Sequence, residues 1–176
     1  RGPATLLYGS NAIGGVVNAI SRRDVFHQHV DQGVRGYMTA NGGSNNNQGG
    51  GGAGFEFGKG PWEFWGSGGG QRTSSYKTPL GTVLNSQTRS EQSDAGLGRY
   101  GNKGFLSFNY GLTDSRYGIP YNPAAANPEM AELEMRRHNY RVTGGLRDVG
   151  FVENIQAKFN YSDYHHQELV DGVPET

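Results

Sequence analysis

Apolar and polar side chains alternate over long stretches of this sequence. The stretch KGFLSFNYGLTD carries a large apolar side chain at every second position, namely Leu106, Phe108, Tyr110 and Leu112. The same period recurs in HNYRVTGGLRD and in NIQAKFNYSDY. A period of two places successive side chains on opposite sides of an extended backbone, whereas a helix repeats every 3.6 residues. We therefore predict β-strands with one apolar face and one polar face.

Seven such stretches follow one another from residue 31, separated by glycine, asparagine, aspartate or proline. The predicted strands are residues 32–42, 47–58, 61–75, 88–101, 103–117, 132–148 and 153–170. Several are longer than the five or six residues that are usual in globular sheets. The alternation fits both a sandwich and a barrel, because either architecture gives each strand one apolar and one polar surrounding. The strand pattern therefore predicts an antiparallel all-β fold and leaves these two architectures open.

The lengths of the predicted connections distinguish the two architectures. The long connections are residues 76–87 and 118–131, and both fall at the same end of the predicted sheet. The connections at the other end are all short. Short turns at one end and longer loops at the other are typical of outer-membrane barrels, and a Greek-key sandwich gives no reason for them. The connections therefore favour a barrel.

The composition excludes several classes of function. The chain has 176 residues, of which 30 are glycine, with no cysteine and a formal net charge of zero. We therefore expect neither nucleic-acid binding nor a disulfide or thiolate metal site. No serine, histidine and carboxylate set is apparent, so we do not expect an enzyme. The mean hydropathy of −0.70 is compatible with a membrane barrel, since only alternate residues of its strands face lipid.

The first 23 residues differ from the strands that follow. In RGPATLLYGSNAIGGVVNAIS, the proline after glycine marks a chain reversal, ATLLYG predicts a helical turn closed by Gly9, and GGVVNAIS predicts a short buried strand. This segment resembles the end of the plug domain of TonB-dependent outer-membrane receptors, in which Arg-Gly-Pro, Leu-Tyr-Gly and Gly-Gly-Val-Val-Asn follow at this spacing. The residues that match the motif are Arg1, Gly2, Pro3, Leu7, Tyr8, Gly9, Gly14, Gly15, Val16, Val17 and Asn18.

The resemblance implies a division of the chain into three parts. Residues 1–23 are the C-terminal piece of an α+β plug domain, residues 24–30 are a linker, and residues 31–176 begin the barrel. The implied fold is a partial, all-β transmembrane antiparallel β-barrel of about seven strands, preceded by the plug piece. Barrels of this family have some 22 strands, so we expect the chain to be a fragment that begins within the plug and ends after the seventh strand.

The resemblance also implies a function and a location. Receptors of this family import a scarce nutrient, such as a metal ion, a metal chelate or a siderophore-like ligand, across the bacterial outer membrane. Their partners are the outer-membrane lipid, the nutrient and the TonB protein, which binds a segment outside this chain, and the resemblance implies no cofactor. The hairpin at residues 133–172 and the element RYGIP at residues 116–120 resemble the subgroup of zinc-uptake receptors. The intervening YNPAAANPEMAE lacks the histidines of that subgroup, which leaves the substrate open.

Two groups of side chains near the predicted outer end are candidates for ligand contact. The candidate rim consists of Tyr117, Tyr121, Arg136 and His138, to which Arg137 is adjacent. The candidate metal ligands are Asp163, His165, His166 and Glu168. Because adjacent strand residues face opposite sides, either Asp163 with His165 or His166 with Glu168 would share a face. Two ligands are too few for a closed zinc site.

Three further patterns receive weaker functional interpretations. His27 and His29 share a strand face in the linker and could bind a metal ion, although a solvated linker is the simpler interpretation. By family resemblance, Arg1 would pair with a carboxylate of the barrel wall, and Glu56 or Glu63 is the candidate. GGGGAG at residues 49–54 fits the letters of the dinucleotide fingerprint, but asparagine and glycine precede it and FEFG follows, so the required strand and helix are missing.

Two other classes of protein remain alternatives to the importer. A passive porin or an autotransporter barrel would account for the strands but not for the motif at residues 1–23. A soluble glycine-rich β protein that acts as a binding module would account for the composition, and it would be a monomer without detergent. A plug distinguishes the importer from a passive barrel, and contact of the apolar face with lipid distinguishes both barrels from the soluble module.

Overall fold

The computed structural model of the chain describes residue 26 and residues 30–124 and 129–174. The strands are β1 (Gly33–Gly43), β2 (Gln48–Lys59), β3 (Trp62–Thr73), β4 (Lys77–Thr78), β5 (Gly81–Thr82), β6 (Thr88–Gly101), β7 (Gly104–Gly118), β8 (Ala131–Val149), β9 (Val152–Val170) and β10 (Val173–Pro174). The plug motif predicted at residues 1–23 lies outside the described residues, as do His27 and His29.

The strands form an antiparallel meander. Eight of them make one sheet in the order β1-β2-β3-β6-β7-β8-β9-β10, and β4 and β5 form a small separate hairpin between β3 and β6. The antiparallel all-β prediction is confirmed, and each of the seven predicted strands ends within two residues of its predicted bounds. Within the described part, β1 and β10 each pair with a single strand, so that this part of the sheet is open. No helix of the described residues is long and apolar enough to cross a membrane.

The two ends of the sheet carry connections of different length, as the sequence predicts. At the short-turn end, residues 60–61, 102–103 and 150–151 join β2 to β3, β6 to β7 and β8 to β9. Gly60 and Gly150 have φ angles of 58° and 63°, which tight hairpin turns require and which glycine adopts at little cost. At the loop end, the connections are residues 44–47, 74–87 and 119–130.

The strand register places large apolar side chains in one continuous row across the sheet. The row consists of Val34, Phe57, Phe64, Leu97, Phe108, Val142 and Phe159, each directly opposite the next. All seven lie on one face, here called the apolar face, and the alternate residues of each strand form the polar face. Directly opposed side chains lie about 5 Å apart and pack against one another. The row therefore forms an uninterrupted hydrophobic stripe.

The apolar face is not covered by another layer of the described chain. Val34 is 73% exposed, Met38 87% and Phe159 63%. The few buried aromatic side chains, Trp65 and Phe105 among them, lie instead on the polar face. A soluble sheet ordinarily does the opposite and buries its apolar face. The described residues therefore leave a hydrophobic surface of the kind that marks an interaction site.

Aromatic rings on the sheet lie over several of its glycines. The ring of Trp65 covers Gly96, where an added Cβ would come within 2.4 Å of the ring carbon Cζ2. The ring of Tyr37 covers Gly54 in the same way, with an added Cβ 2.6 Å from Cε1. Such aromatic cover compensates for the missing side chain of a strand glycine. Each glycine thus makes the space into which its aromatic neighbour packs.

Candidate functional site

Two of the depressions on the polar face are lined by small polar or charged side chains together with glycines. The first, of about 450 Å³, lies over the glycine-rich parts of β2 and β3, with small polar side chains from β1, β3 and β6 around it. Those side chains include Thr39, Asn41, Ser67, Gln71 and Ser90. They offer hydroxyl and amide groups without charge, so this depression can hydrogen-bond a neutral or weakly polar surface.

The second depression, of about 620 Å³, lies over β6 to β9 and contains several charged side chains of the polar face. Arg137 and Arg141 from β8 and Lys158 from β9 lie in it, and Asp94 of β6 is at its opposite side. Asp94 accepts a hydrogen bond from the hydroxyl of Ser67. We call this the basic depression, because three of its side chains are cationic and one is anionic.

The chain upstream of β1 approaches the sheet on the polar face, at the short-turn end. The ring of Phe26 packs edge-to-face on Phe105, with the ring centroids 4.9 Å apart. The guanidinium carbon of Arg147 lies 4.4 Å from the centroid of Phe26. Val30 is buried with Tyr100 and Phe105 in a small cluster. These contacts bring the segment that precedes the sheet against its polar side.

The two carboxylates considered as partners of Arg1 both lie on the polar face. Glu56 Oε2 is 3.1 Å from Nη2 of Arg35, which also binds Asp31. Glu63 is buried, with 6% of its surface exposed. Arg1 itself lies outside the described residues, so the predicted pairing stays a prediction.

The four candidate rim residues lie at the loop end but do not share one surface. Tyr117 is on the polar face, opposite Leu133, and Tyr121 lies in the loop of residues 119–130. Arg136 is on the apolar face and binds Asp114, with Nη2 2.6 Å from Oδ2. His138 is also on the apolar face, where its Nδ1 is 2.8 Å from the hydroxyl of Tyr110 on the neighbouring strand. The structure therefore divides this group between the two faces.

The candidate metal ligands are divided in the same way, as the strand period predicts. Asp163 and His165 lie on the apolar face, and His166 lies with Glu168 on the polar face. Nε2 of His165 is 3.1 Å from Oε1 of Gln167. Among the described residues, no three histidine, cysteine, aspartate or glutamate side chains are grouped so as to hold a metal ion.

A belt of ion pairs crosses the apolar face at the loop end, and sequence reasoning missed it. Arg116 binds Glu132 through Nε at 2.8 Å and Glu134 through Nη1 at 2.9 Å, beside the pair of Arg136 with Asp114. These five residues form the ion-pair belt. Such exposed pairs contribute roughly 0–1 kcal/mol each to stability. The belt is more informative as a marker of position, because it shows where the apolar face gives way to charge.

A row of tyrosines lies between the hydrophobic row and the ion-pair belt. Tyr110, Tyr140 and Tyr161 are directly opposite one another on β7, β8 and β9. Their ring centroids are 5.1 Å and 6.1 Å apart along the row. From the short-turn end to the loop end, the apolar face therefore passes from aliphatic and phenylalanine side chains to tyrosines and then to charges.

At the loop end, Asn85 fastens one long connection to the other. Its Nδ2 donates hydrogen bonds to the carbonyl oxygens of Ile119 at 3.0 Å and Ala131 at 2.7 Å. Asn85 is buried and has a φ of 55°, a conformation that asparagine tolerates better than most residues. Its Oδ1 accepts a hydrogen bond from Gln87 at 2.9 Å. The loops of residues 74–87 and 119–130 are therefore joined at their bases.

Replacing Asn85 by alanine is expected to loosen both loops without unfolding the sheet. The change removes the described donor of the Ile119 carbonyl, whereas the Ala131 carbonyl keeps the bond of 2.9 Å from the backbone N–H of Ile119. The expected cost is therefore at most about 1–3 kcal/mol. Hydrogen exchange at residues 74–87 and 119–124 should become faster, while exchange in β7 and β8 stays unchanged. Asn122→Ala is the control, because Asn122 is exposed and bonds only the nearby Ala124 amide among the described contacts. Equal effects of the two substitutions would contradict the proposed clamp.

The described geometry offers two surfaces of different chemistry and no assembled catalytic group. One face presents hydrocarbon bounded by tyrosines and ion pairs, and the other presents amides, hydroxyls, glycines and a cationic patch. No protein-family model matches the chain, and no curated protein matches it.

Proposed function

We propose that this chain belongs to a TonB-dependent receptor of the bacterial outer membrane, with β1–β3 and β6–β9 as barrel strands. The observation that carries the proposal is the row of seven large apolar side chains in register on an uncovered face. In a membrane barrel this face contacts lipid hydrocarbon and the alternate residues face the interior. The partner that the apolar face lacks in the described chain is then the lipid bilayer.

The dimensions of the apolar face support this assignment. On β9 the apolar positions run from Ile155 to Tyr161, which is roughly 20 Å at about 3.4 Å per residue. Outer-membrane barrels present an apolar band about 25 Å tall, flanked by aromatic residues at the interfaces. The tyrosine row then corresponds to an aromatic girdle, and the ion-pair belt to the region outside the hydrocarbon.

The apolar band also runs obliquely across the strands. Followed from strand to strand, the register places Val34 of β1 level with Phe159 of β9. On β1 the apolar positions run from Val34 to Ala40. On β9 they begin at Ile155, which is four residues nearer the short-turn end than Phe159, the residue level with Val34. The shift is four residues of about 3.4 Å over six strand spacings of about 4.8 Å, so the band is inclined by roughly 25° to the perpendicular of the strands. Tilted strands in a planar membrane are expected to show such a shift.

The position of the upstream segment supports a plug within the barrel. Phe26 and Val30 contact the polar face, which faces the barrel interior in this proposal. A plug that ends at residue 23 would therefore be connected to the first strand from the interior side. The sequence motif at residues 1–23 supplies the remaining support, because its resemblance is to plugs and not to porins or autotransporters.

The proposed activity is energy-coupled import of a scarce nutrient, either a metal ion, a metal chelate or a siderophore-like ligand. Energy would come from the TonB protein through a segment outside this chain. Residues 1–23 would be the end of the plug, residues 24–30 the linker and residues 31–176 the first part of the barrel. The zinc-uptake subgroup and the metal role of Asp163, His165, His166 and Glu168 remain predictions within this proposal.

Deleting the complete gene is expected to lower the accumulation of radiolabelled iron or zinc in starved cells. Deleting the gene for TonB should also abolish this uptake, because the receptor acts only through TonB. Deleting both genes should therefore cause no further loss than deleting the TonB gene alone. The complete protein should also sediment with the outer membrane. A protein found in the soluble fraction, or a further loss in the double deletion, would contradict the proposal.

A further inference from the structure

We propose that Lys59, Trp62 and Arg99 bind the phosphate headgroup of an anionic phospholipid at the short-turn end of the apolar face. This inference rests on the proposed function, because it requires the apolar face to lie in a bilayer, and it names a lipid partner of that face. The three side chains lie directly opposite one another on β2, β3 and β6, with Trp62 between the two cations. We call them the cation–tryptophan row.

The cation–tryptophan row lies where the hydrocarbon character of the apolar face ends. On β2, Lys59 is the next residue of this face after Phe57 of the hydrophobic row. On β6, Arg99 follows Leu97 in the same way. Both cations are exposed, and Trp62 is 42% exposed. Tryptophan is enriched at membrane interfaces, and long cationic side chains extend along hydrocarbon to place their charge among headgroups.

The cations of this row have no ion-pair partner in the described part of the chain. None of the described ion pairs involves Lys59 or Arg99. Glu63, next to Trp62 in sequence, is buried on the opposite face of the sheet. Asp31, which precedes β1, binds Arg35 on the polar face, and Asp24 lies outside the described residues.

Two further carboxylates lie at the short-turn end but far from the row. Asp148 and Glu153 belong to β8 and β9. Arg99 is level with Gly144 of β8, and Asp148 is four residues further along that strand. Two strand spacings of about 4.8 Å and four residues of about 3.4 Å place the backbones of Arg99 and Asp148 roughly 17 Å apart. This distance exceeds the screening length of about 8 Å at physiological ionic strength.

The two ends of the apolar band therefore differ in how their charges are balanced. At the loop end, the arginines of the ion-pair belt bind carboxylates of the same belt. At the short-turn end, Lys59 and Arg99 are two strand spacings apart, or roughly 10 Å. A phosphate between them can accept hydrogen bonds from both cations and from the indole N–H of Trp62. Short turns of outer-membrane barrels are periplasmic, which places this lipid in the periplasmic leaflet.

Quenching of Trp62 fluorescence by brominated phospholipids tests the inference separately from the proposed function. The complete protein and its Trp62→Phe variant are reconstituted in phosphatidylcholine vesicles that contain a small fraction of brominated phosphatidylglycerol or brominated phosphatidylcholine. The difference between their emissions is that of Trp62. We expect the binding constant next to Trp62 to be at least about fivefold higher for phosphatidylglycerol than for phosphatidylcholine.

The possible results separate the lipid site from the barrel. Equal quenching by the two lipids, or stronger quenching by brominated phosphatidylcholine, would overturn the inference and leave the lipid-facing assignment intact. Absence of quenching by either lipid would overturn both, because Trp62 would then not contact the bilayer.

Substitution of the two cations tests the site itself. In the complete protein, Lys59→Gln with Arg99→Gln is expected to reduce the preference for phosphatidylglycerol to about twofold or less, and high salt should weaken the preference of the unsubstituted protein. The control is Arg137→Gln with Lys158→Gln, which removes two exposed cations from the polar face and should leave the preference unchanged. A preference that survives the first substitution, or that the control lowers equally, would overturn the assignment.

Discussion

Replacing Phe159 by arginine in the complete protein is expected to cost about 2–4 kcal/mol of the free energy of unfolding in lipid vesicles. Phe159 belongs to the hydrophobic row and is 63% exposed in the described structure. An arginine there would face hydrocarbon, where its charge loses hydration. The loss is measured by urea unfolding in vesicles, monitored through the change in electrophoretic mobility that accompanies barrel unfolding.

The neighbouring Asn160→Arg is the control for this substitution. Asn160 is also exposed, but it lies on the polar face, so its replacement should change the free energy of unfolding by less than about 1 kcal/mol. A soluble sheet would tolerate arginine at both positions, because both side chains would be in water. Similar values for the two variants would therefore contradict the lipid-facing assignment of the apolar face.

Replacing Gly96 by alanine is expected to destabilise the sheet by about 2–4 kcal/mol. A Cβ at this position would lie 2.4 Å from the carbonyl oxygen of Phe108 and 2.4 Å from Cζ2 of Trp65. The ring of Trp65 would have to move, which would break the hydrogen bond of 2.6 Å that its Nε1 donates to Oδ1 of Asn109. The free energy of urea unfolding and the tryptophan emission spectrum should both change.

Gly111→Ala provides the comparison on the adjacent strand. Gly111 lies on the same face, but an added Cβ would meet only the carbonyl oxygen of Ser93, at an ordinary contact distance of 3.8 Å. This substitution should be neutral or slightly stabilising, because alanine restricts the unfolded chain more than glycine does. If Gly96→Ala and Gly111→Ala have the same effect, glycine does not serve to seat the ring of Trp65.

The strands could be predicted from the sequence because their signal is local. A period of two in side-chain polarity and turn residues at the ends predict a strand at residues 103–117, and β7 is observed at Gly104–Gly118. The short strands β4, β5 and β10 span two residues each and were missed, since no alternation can be read from two residues. The all-β antiparallel order also follows from short connections, which join neighbouring antiparallel strands.

Contacts between strands depend on register, which the sequence alone does not fix. Arg116 and Glu132 are 16 residues apart and meet only because the register opposes Arg116 to Glu134. The face on which Arg136 and His138 lie could have been predicted from the sequence, because both are an even number of residues from the apolar Tyr140 on β8. Parity thus contained the signal that separates these two from Tyr117, whose side chain lies on the other face.

The most direct test of the membrane barrel is a scan of residues 155–162 of β9 with single spin-labelled cysteines. The chain contains no cysteine, so each label within it would be unique. In vesicles, labels at positions 155, 157, 159 and 161 should be accessible to molecular oxygen dissolved in the hydrocarbon and protected from a water-soluble nickel chelate. Labels at positions 156, 158, 160 and 162 should lack this preference for oxygen. An absence of alternation, or alternation with the opposite phase, would contradict the assignment of the apolar face to lipid.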